Sequence, residues 1–144
     1  MASSAVLREV TLTLPMLPDM EIAASKTATA LAEFMVMSSD KIDEVRMAVV
    51  EACINSFEHS RADDRKVEIQ FAVLGNDEPE RLQITIRDSG VGFTPESLVK
   101  PRIEDKLKAA SKRGWGLTII KGLMDEVDIH SGPGGTTVVM SKLR

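Results

Sequence analysis

A chain of 144 residues is long enough for one domain with a real core, and with 43% hydrophobic and 28% charged residues it is neither a disordered tail nor a membrane protein. A formal charge of −4 gives no electrostatic reason to bind nucleic acid, whose phosphates favour a basic face. A single cysteine, Cys53, excludes an internal disulfide, and no Cys/His cluster has metal-ligand spacing. The start, "MASSAVLREVTLTL", lacks a long apolar h-region, and no apolar run approaches the roughly 20 residues of a membrane span. These features predict one cytoplasmic domain over 1–144, with protein or small-molecule partners.

In chain order, "VTLTL" at 10–14 alternates with period two until Pro15 and Pro18 break it, which predicts an opening strand. From Asp19, an expected N-cap, "MEIAASKTATALAEFMVM" is rich in helix formers. The cluster Ser38, Ser39, Asp40 then introduces a second helix to about His59. Val67, Ile69, Phe71 and Val73 alternate, "GNDEPE" turns the chain, and Leu82, Ile84 and Ile86 alternate again: a hairpin. Thr94-Pro95-Glu96 has the form of a short helix start, and the charged, weakly periodic stretch from about 97 to 113 reads as a mobile loop. "WGLTIIKGLMDEV" predicts a helix. "VDIHS" and "TTVVMSK", separated by Gly132, Pro133, Gly134 and Gly135, predict a closing hairpin. The order β, α, α, β, β, loop, α, β, β predicts an α+β fold, a mixed sheet with helices on one face.

The second helix carries an anomaly. At 100° per residue Ile42, Val45, Val49, Ala52 and Cys53 share one face, and Met47, Val50, Ile54 and Phe57 widen it, so the helix should be buried on most sides. A narrow polar strip remains: Glu44, Glu51, Asn55, Glu58 and His59. Glu51 and Asn55 are spaced i, i+4 and point the same way. Such a pair is ordinarily a solvated helix face. It also suits Mg²⁺ bound to nucleotide phosphates, because that cation takes few protein oxygens and a carboxylate beside an amide offers a ligand and a base.

Three glycine-rich stretches follow. In "RDSGVGF" (87–93) Asp88 can accept a hydrogen bond from an exocyclic amine, while Gly90 and Gly92 permit positive φ and close backbone approach; a plain turn is the other reading. "RGWGL" (113–117) opens a helix whose N-terminal amides suit a polyphosphate. "GGTT" (134–137) places hydroxyls at the start of a strand, or is simply a hairpin turn.

In order and spacing, "EACINSFEH", "DSGVGF", "RGWGLTIIKGLMDEV" and "GGTTV" resemble the boxes of the GHKL ATPase superfamily, shared by gyrase, Hsp90, MutL and histidine kinases. Within it the chain is similar, from about Val10 to Lys142, to the bacterial anti-sigma factor serine kinases of the RsbW and SpoIIAB type. The resemblance implies a Bergerat-type α/β sandwich, a mostly antiparallel sheet with an ATP lid. It implies Asn55 as the Mg²⁺ ligand, Glu51 as general base, and Asp88 as reader of the adenine amine. Gly90 and Gly92 would shape the base pocket, Gly114 and Gly116 would meet the phosphates, and Thr136 or Thr137 would support the adenine contact. Lys112 and Arg113 are candidates for the γ-phosphate or are solvated charges. His59 is expected to pack or hydrogen-bond, and Trp115 to pack between two glycines.

The implied activity is phosphorylation of a serine on a STAS-domain anti-anti-sigma protein by Mg-ATP, with sequestration of a sigma factor when that partner is unavailable. A homodimer with part of the first helix region at its interface is also implied. A noncatalytic ATP-gated partner switch is the alternative. The detached catalytic domain of a histidine kinase is a third class, disfavoured because His59 lies in the first box and His130 in an expected strand. "SRADDRKV" lacks the glycine and tyrosine common after the first box, and "LVKPRIEDKLKAASK" is rich in lysine without the threonines of some relatives.

Overall fold

The computed structural model describes residues 5–59, 65–89 and 115–144. Each alternating stretch is a strand, longer than its hydrophobic signal: β1 (Ala5–Pro15), β2 (Lys66–Gly75), β3 (Pro79–Asp88), β4 (Glu126–Gly132) and β5 (Gly135–Leu143). They form one five-stranded sheet in the order β1-β2-β3-β5-β4, and every pairing is antiparallel.

Two connections explain why the sheet is wholly antiparallel rather than mixed. Between β1 and β2, helices α1 (Met20–Phe34) and α2 (Ser39–His59) pack on each other and return the chain to where β1 ended. The Met16 amide accordingly donates to the Arg65 carbonyl at 2.8 Å, and Pro15 stands opposite Lys66. On the other side, helix α3 (Trp115–Leu123) leads into β4, but β5 occupies the position between β3 and β4. The crossover therefore creates no parallel pair.

The helix ends depart from expectation in instructive ways. Asp19 precedes α1 with φ 73° and makes no side-chain cap. Ser38 does cap α2, its Oγ accepting from the Lys41 amide at 3.3 Å. Helix α1 ends in a Schellman pattern, the Val36 amide donating to Glu33 at 2.9 Å and the Met37 amide to Ala32 at 3.1 Å. This puts Val36, a β-branched residue, at φ 60°, where glycine is the usual occupant. Helix α3 stops at Leu123, earlier than its composition predicts. Glu126 and Val127 are taken into β4 opposite Ser141 and Met140, and the Asp125 carboxylate accepts the Leu143 amide at 2.7 Å.

The core lies between the sheet and the helices. Val67, Ile69, Phe71, Val73, Leu82, Ile84 and Met140 meet Ala24, Ala28 and Ala32 of α1, Val45, Val49 and Cys53 of α2, and Ile120 of α3. Fully burying a Val, Ile, Leu or Phe side chain contributes about 1.5–3 kcal/mol. That is enough for this layer to override weak local preferences such as the β-branched run in α3. The expected burial of α2 on most sides is not met at Met47, which is 49% exposed. Among the described residues no helix is long and apolar enough to cross a membrane.

Candidate active site

The ladder registers bring one row of side chains to the end of the sheet on its helix side. Leu14 opposes Val67, Val67 opposes Asp88, Asp88 opposes Thr136, and Thr136 opposes Ser131. Side chains directly opposite share a face, so Asp88 is flanked by the apolar Val67 and the hydroxyl of Thr136. That hydroxyl is held 3.0 Å from Ser131 Oγ. Thr137 opposes Arg87 and His130, on the other face. The alternation separates the two threonine candidates, and Thr136 is the one beside Asp88.

Gly135 makes the row tight. It has φ +126°, and a Cβ there would lie 2.0 Å from the Asp88 carbonyl oxygen. No larger residue fits without moving the end of β3.

Helix α2 carries the second half of the site to the same end. Its start is tied to the far end of β5: Lys41 Nζ donates to the carbonyls of Leu143 and Arg144 at 3.2 and 2.9 Å. Its end lies by the start of β2, where the Arg65 guanidinium donates to the Phe57 carbonyl at 3.3 Å. Glu51 and Asn55, both half-buried, thus approach the Asp88–Thr136 end. The direction of their strip is set by Glu44, which lies about 20° from Glu51 on the helical wheel. Buried Lys142 of β5 donates both to the Glu44 carboxylate and to the Leu123 carbonyl at the end of α3. The strip therefore faces α3. That helix runs antiparallel to α2 with Leu123 at the clamped end, so its first turn lies toward the Asn55 end of α2.

Chemically, one end of the sheet gathers an acceptor for an amine, a supporting hydroxyl, a carboxylate–amide pair and the amide end of a helix. Among the described residues no three His, Cys, Asp or Glu side chains converge on a metal position. A cation here would be shared between the Asn55 amide oxygen and oxygens of a ligand, leaving the Glu51 carboxylate as a base. An amide oxygen fits a hard ion such as Mg²⁺ that keeps most of its shell from phosphate and water. A cleft of about 560 Å³ opens round the same sheet end, lined on the far face by Lys66, Glu68, Arg87, His130 and Thr137. Its lining also includes Val67, Asp88 and Ser131 of the helix-side row, so the cleft wraps the sheet end that carries Asp88.

Gly90, Gly92, Lys112, Arg113 and Gly114, with the expected helix start at Thr94 and the loop from 97 to 113, lie outside the described residues, as do the side chains of His59 and Trp115. Sequence reasoning missed Ser131 and the Lys142–Glu44 clamp. The first was within reach, because two-residue closure at Pro133-Gly134 sets Ser131 opposite Thr136. The second had no local signal.

Residues 14–142 match the family model described as the histidine kinase-like ATPase domain. The chain is similar to the serine-protein kinase RsbW of Bacillus velezensis, 31% identical over 81% of this chain and 73% of that protein. It is similar to the anti-sigma F factor of Oceanobacillus iheyensis, 34% identical over 78% and 79%. It is also similar to RsbW of Bacillus subtilis, 30% identical over 81% and 73%. In fold it resembles the crystal structure of the RsbU and RsbW domains of a Mycobacterium tuberculosis protein, with TM-score 0.68 and 19% identity over 94% of this chain; the match spans 32% of that longer chain. With a family model matched over nearly its whole length and relatives of this identity, the chain belongs to the histidine kinase-like ATPase family, in the group of the RsbW and anti-sigma F proteins.

Proposed function

We propose that the chain is a single cytoplasmic ATP-binding domain acting as an anti-sigma factor serine kinase. It transfers the γ-phosphoryl group of ATP to a serine of a STAS-domain anti-anti-sigma protein, sequesters a sigma factor when that protein is unavailable, and works as a homodimer. The observation that carries this reading is the Asp88–Thr136 pair at the sheet end toward which α2 delivers Glu51 and Asn55. Its likeness to a serine-protein kinase and to an anti-sigma factor supports it.

In this reading Asp88 accepts a hydrogen bond from the adenine amine and Thr136 supports that contact. Gly90 and Gly92 let the base lie against the backbone. The Asn55 amide oxygen would hold Mg²⁺, which when bound neutralises charge on the phosphates. Backbone amides at Gly114 and Gly116, and the cations Lys112 and Arg113, meet the phosphate chain. Glu51 takes the proton of the substrate serine as its oxygen bonds to the γ-phosphorus and the bond to the β-phosphate oxygen breaks, leaving ADP and phosphoserine.

The test is calorimetric titration with ATP, ADP and GTP with and without Mg²⁺, followed by incubation with γ-labelled ATP and a STAS-domain protein of the source organism. Adenine-selective, magnesium-dependent binding with label on a serine of that protein is expected. Binding without transfer to any STAS protein would leave a noncatalytic switch, and no binding would end the nucleotide reading.

A further inference from the structure

Ser56 stands apart from every other helical hydroxyl whose partner is known. In α1 the hydroxyls of Ser25, Thr27 and Thr29 turn back onto the helix, donating to Ile22, Ala23 and Lys26 carbonyls at 2.9, 2.9 and 3.1 Å. Ser56 Oγ is buried and meets no hydrogen-bond partner among the described residues. A buried hydroxyl left unmatched is costly, and a serine in mid-helix has its own carbonyls to bond, so an orphan in such a place calls for a partner from outside the chain.

Its position names the partner. Ser56 continues the core-facing row of Val45, Val49 and Ala52, lying about 20° from Val45 round the helix; the residue is half-buried and its Oγ is shielded from solvent. Its level can be reckoned from the clamp, where Glu44 of α2 and Lys142 of β5 are bonded. From Glu44 to Ser56 the helix rises about 18 Å. From Lys142 back to Thr136 the strand runs about 20 Å. Ser56 therefore ends near the level of the Asp88–Thr136 row, one residue from Asn55 but on the sheet side of the helix.

We infer that Ser56 is a specificity residue for the purine: its hydroxyl hydrogen-bonds the ring, directly or across one water, from the helix side of the pocket whose sheet side is Asp88 and Thr136. This rests on the nucleotide reading above and adds a contact to it. Asp88 reads the exocyclic amine, whereas Ser56 contacts the ring itself. The hydroxyl that is unmatched in the free protein is matched in the complex.

The test is Ser56→Ala beside Asp88→Asn, with calorimetry using ATP and the triphosphate of purine riboside, which lacks the amine, and thermal unfolding of the free proteins. Ser56→Ala is expected to weaken both ligands about fivefold, while the free variant unfolds at the same temperature as wild type or higher. Asp88→Asn should weaken ATP and leave the amine-free triphosphate little changed. Unchanged ATP affinity in Ser56→Ala, with ATP weakened in Asp88→Asn, would overturn the role of Ser56 and leave the pocket standing. A lower unfolding temperature for free Ser56→Ala would show a structural hydroxyl and overturn it too. Failure of the wild-type protein to bind either triphosphate would overturn the nucleotide reading itself.

Discussion

Asp88 and Thr136 stand directly opposite each other in the β3–β5 ladder, both on the helix side of the sheet. Opposed residues bring their Cβ atoms about 4.5–5.5 Å apart, so one ligand edge can touch both. Asp88→Asn removes a charged acceptor. We expect ATP affinity to fall about 10- to 100-fold and the preference over GTP to disappear, measured by calorimetry. Thr136→Val should weaken ATP about fivefold. Thr137→Val, on the opposite face, should not.

Glu51 and Asn55 lie one turn apart on the strip that faces α3, and they are assigned different tasks. Asn55→Ala is expected to abolish the magnesium dependence of ATP binding. Glu51→Gln should bind Mg-ATP normally and lose about 10²- to 10⁴-fold in transfer to serine, the range for a general base. Titration with and without Mg²⁺ and a labelled-phosphate assay separate them. Unchanged magnesium dependence in the first variant, or wild-type transfer in the second, would refute the respective assignment.

Gly135→Ala tests how closely β5 approaches the end of β3. The new Cβ meets the Asp88 carbonyl at 2.0 Å and the backbone is at φ +126°, so strain and clash act together. Unfolding in urea should show a loss of at least about 2 kcal/mol. ATP affinity should fall as well, because relief of the clash displaces Asp88.

Val36→Gly should do the opposite. Val36 is 80% exposed, so little packing is lost. At φ 60° it bears the left-handed penalty of about 1–2 kcal/mol, of which glycine's greater freedom in the unfolded chain returns a part. The expected net gain is about 0.5–1 kcal/mol, seen as a rise of about 2–3 °C in Tm.

Cys53 sets a pH dependence at the alkaline end. Burial, and secondarily the Glu21 carboxylate, push its thiol from 9.0 up to about 12. Below pH 9 folded and unfolded chains both keep the proton and the group adds no slope. Between 9 and about 12 the unfolded chain loses the proton and the folded one retains it. Stability from this group must therefore fall as pH rises, by about 1.4 kcal/mol per unit. Urea titrations at rising pH should show that extra slope in wild type and not in Cys53→Ala.

The strands and α2 were legible because their signals are local: period two in "VEIQFAV" and "LQITI", and a cap at Ser38 before a helical run. The order of boxes also told which residues to seek at the site. What could not be read was set by pairing. Whether Thr136 or Thr137 sides with Asp88 depends on the β3–β5 register, and Glu126 and Val127 are helical by composition but strand once Ser141 and Met140 stand opposite. The Lys142–Glu44 contact joins residues 98 positions apart. The ring of apolar residues on α2 exceeded what its neighbours cover, which left Met47 outside.

The grip of Lys142 on Glu44 and on the last carbonyl of α3 gives the two helices the mechanics of tongs. Their pivot is at the closed end of the sheet, and their tips, Asn55 and the first turn of α3, are at the open end. A ligand seated between the tips is expected to turn α3 about Leu123 and not to slide it along α2. By the same lever, a small tilt at the pivot becomes a larger displacement at the first turn of α3.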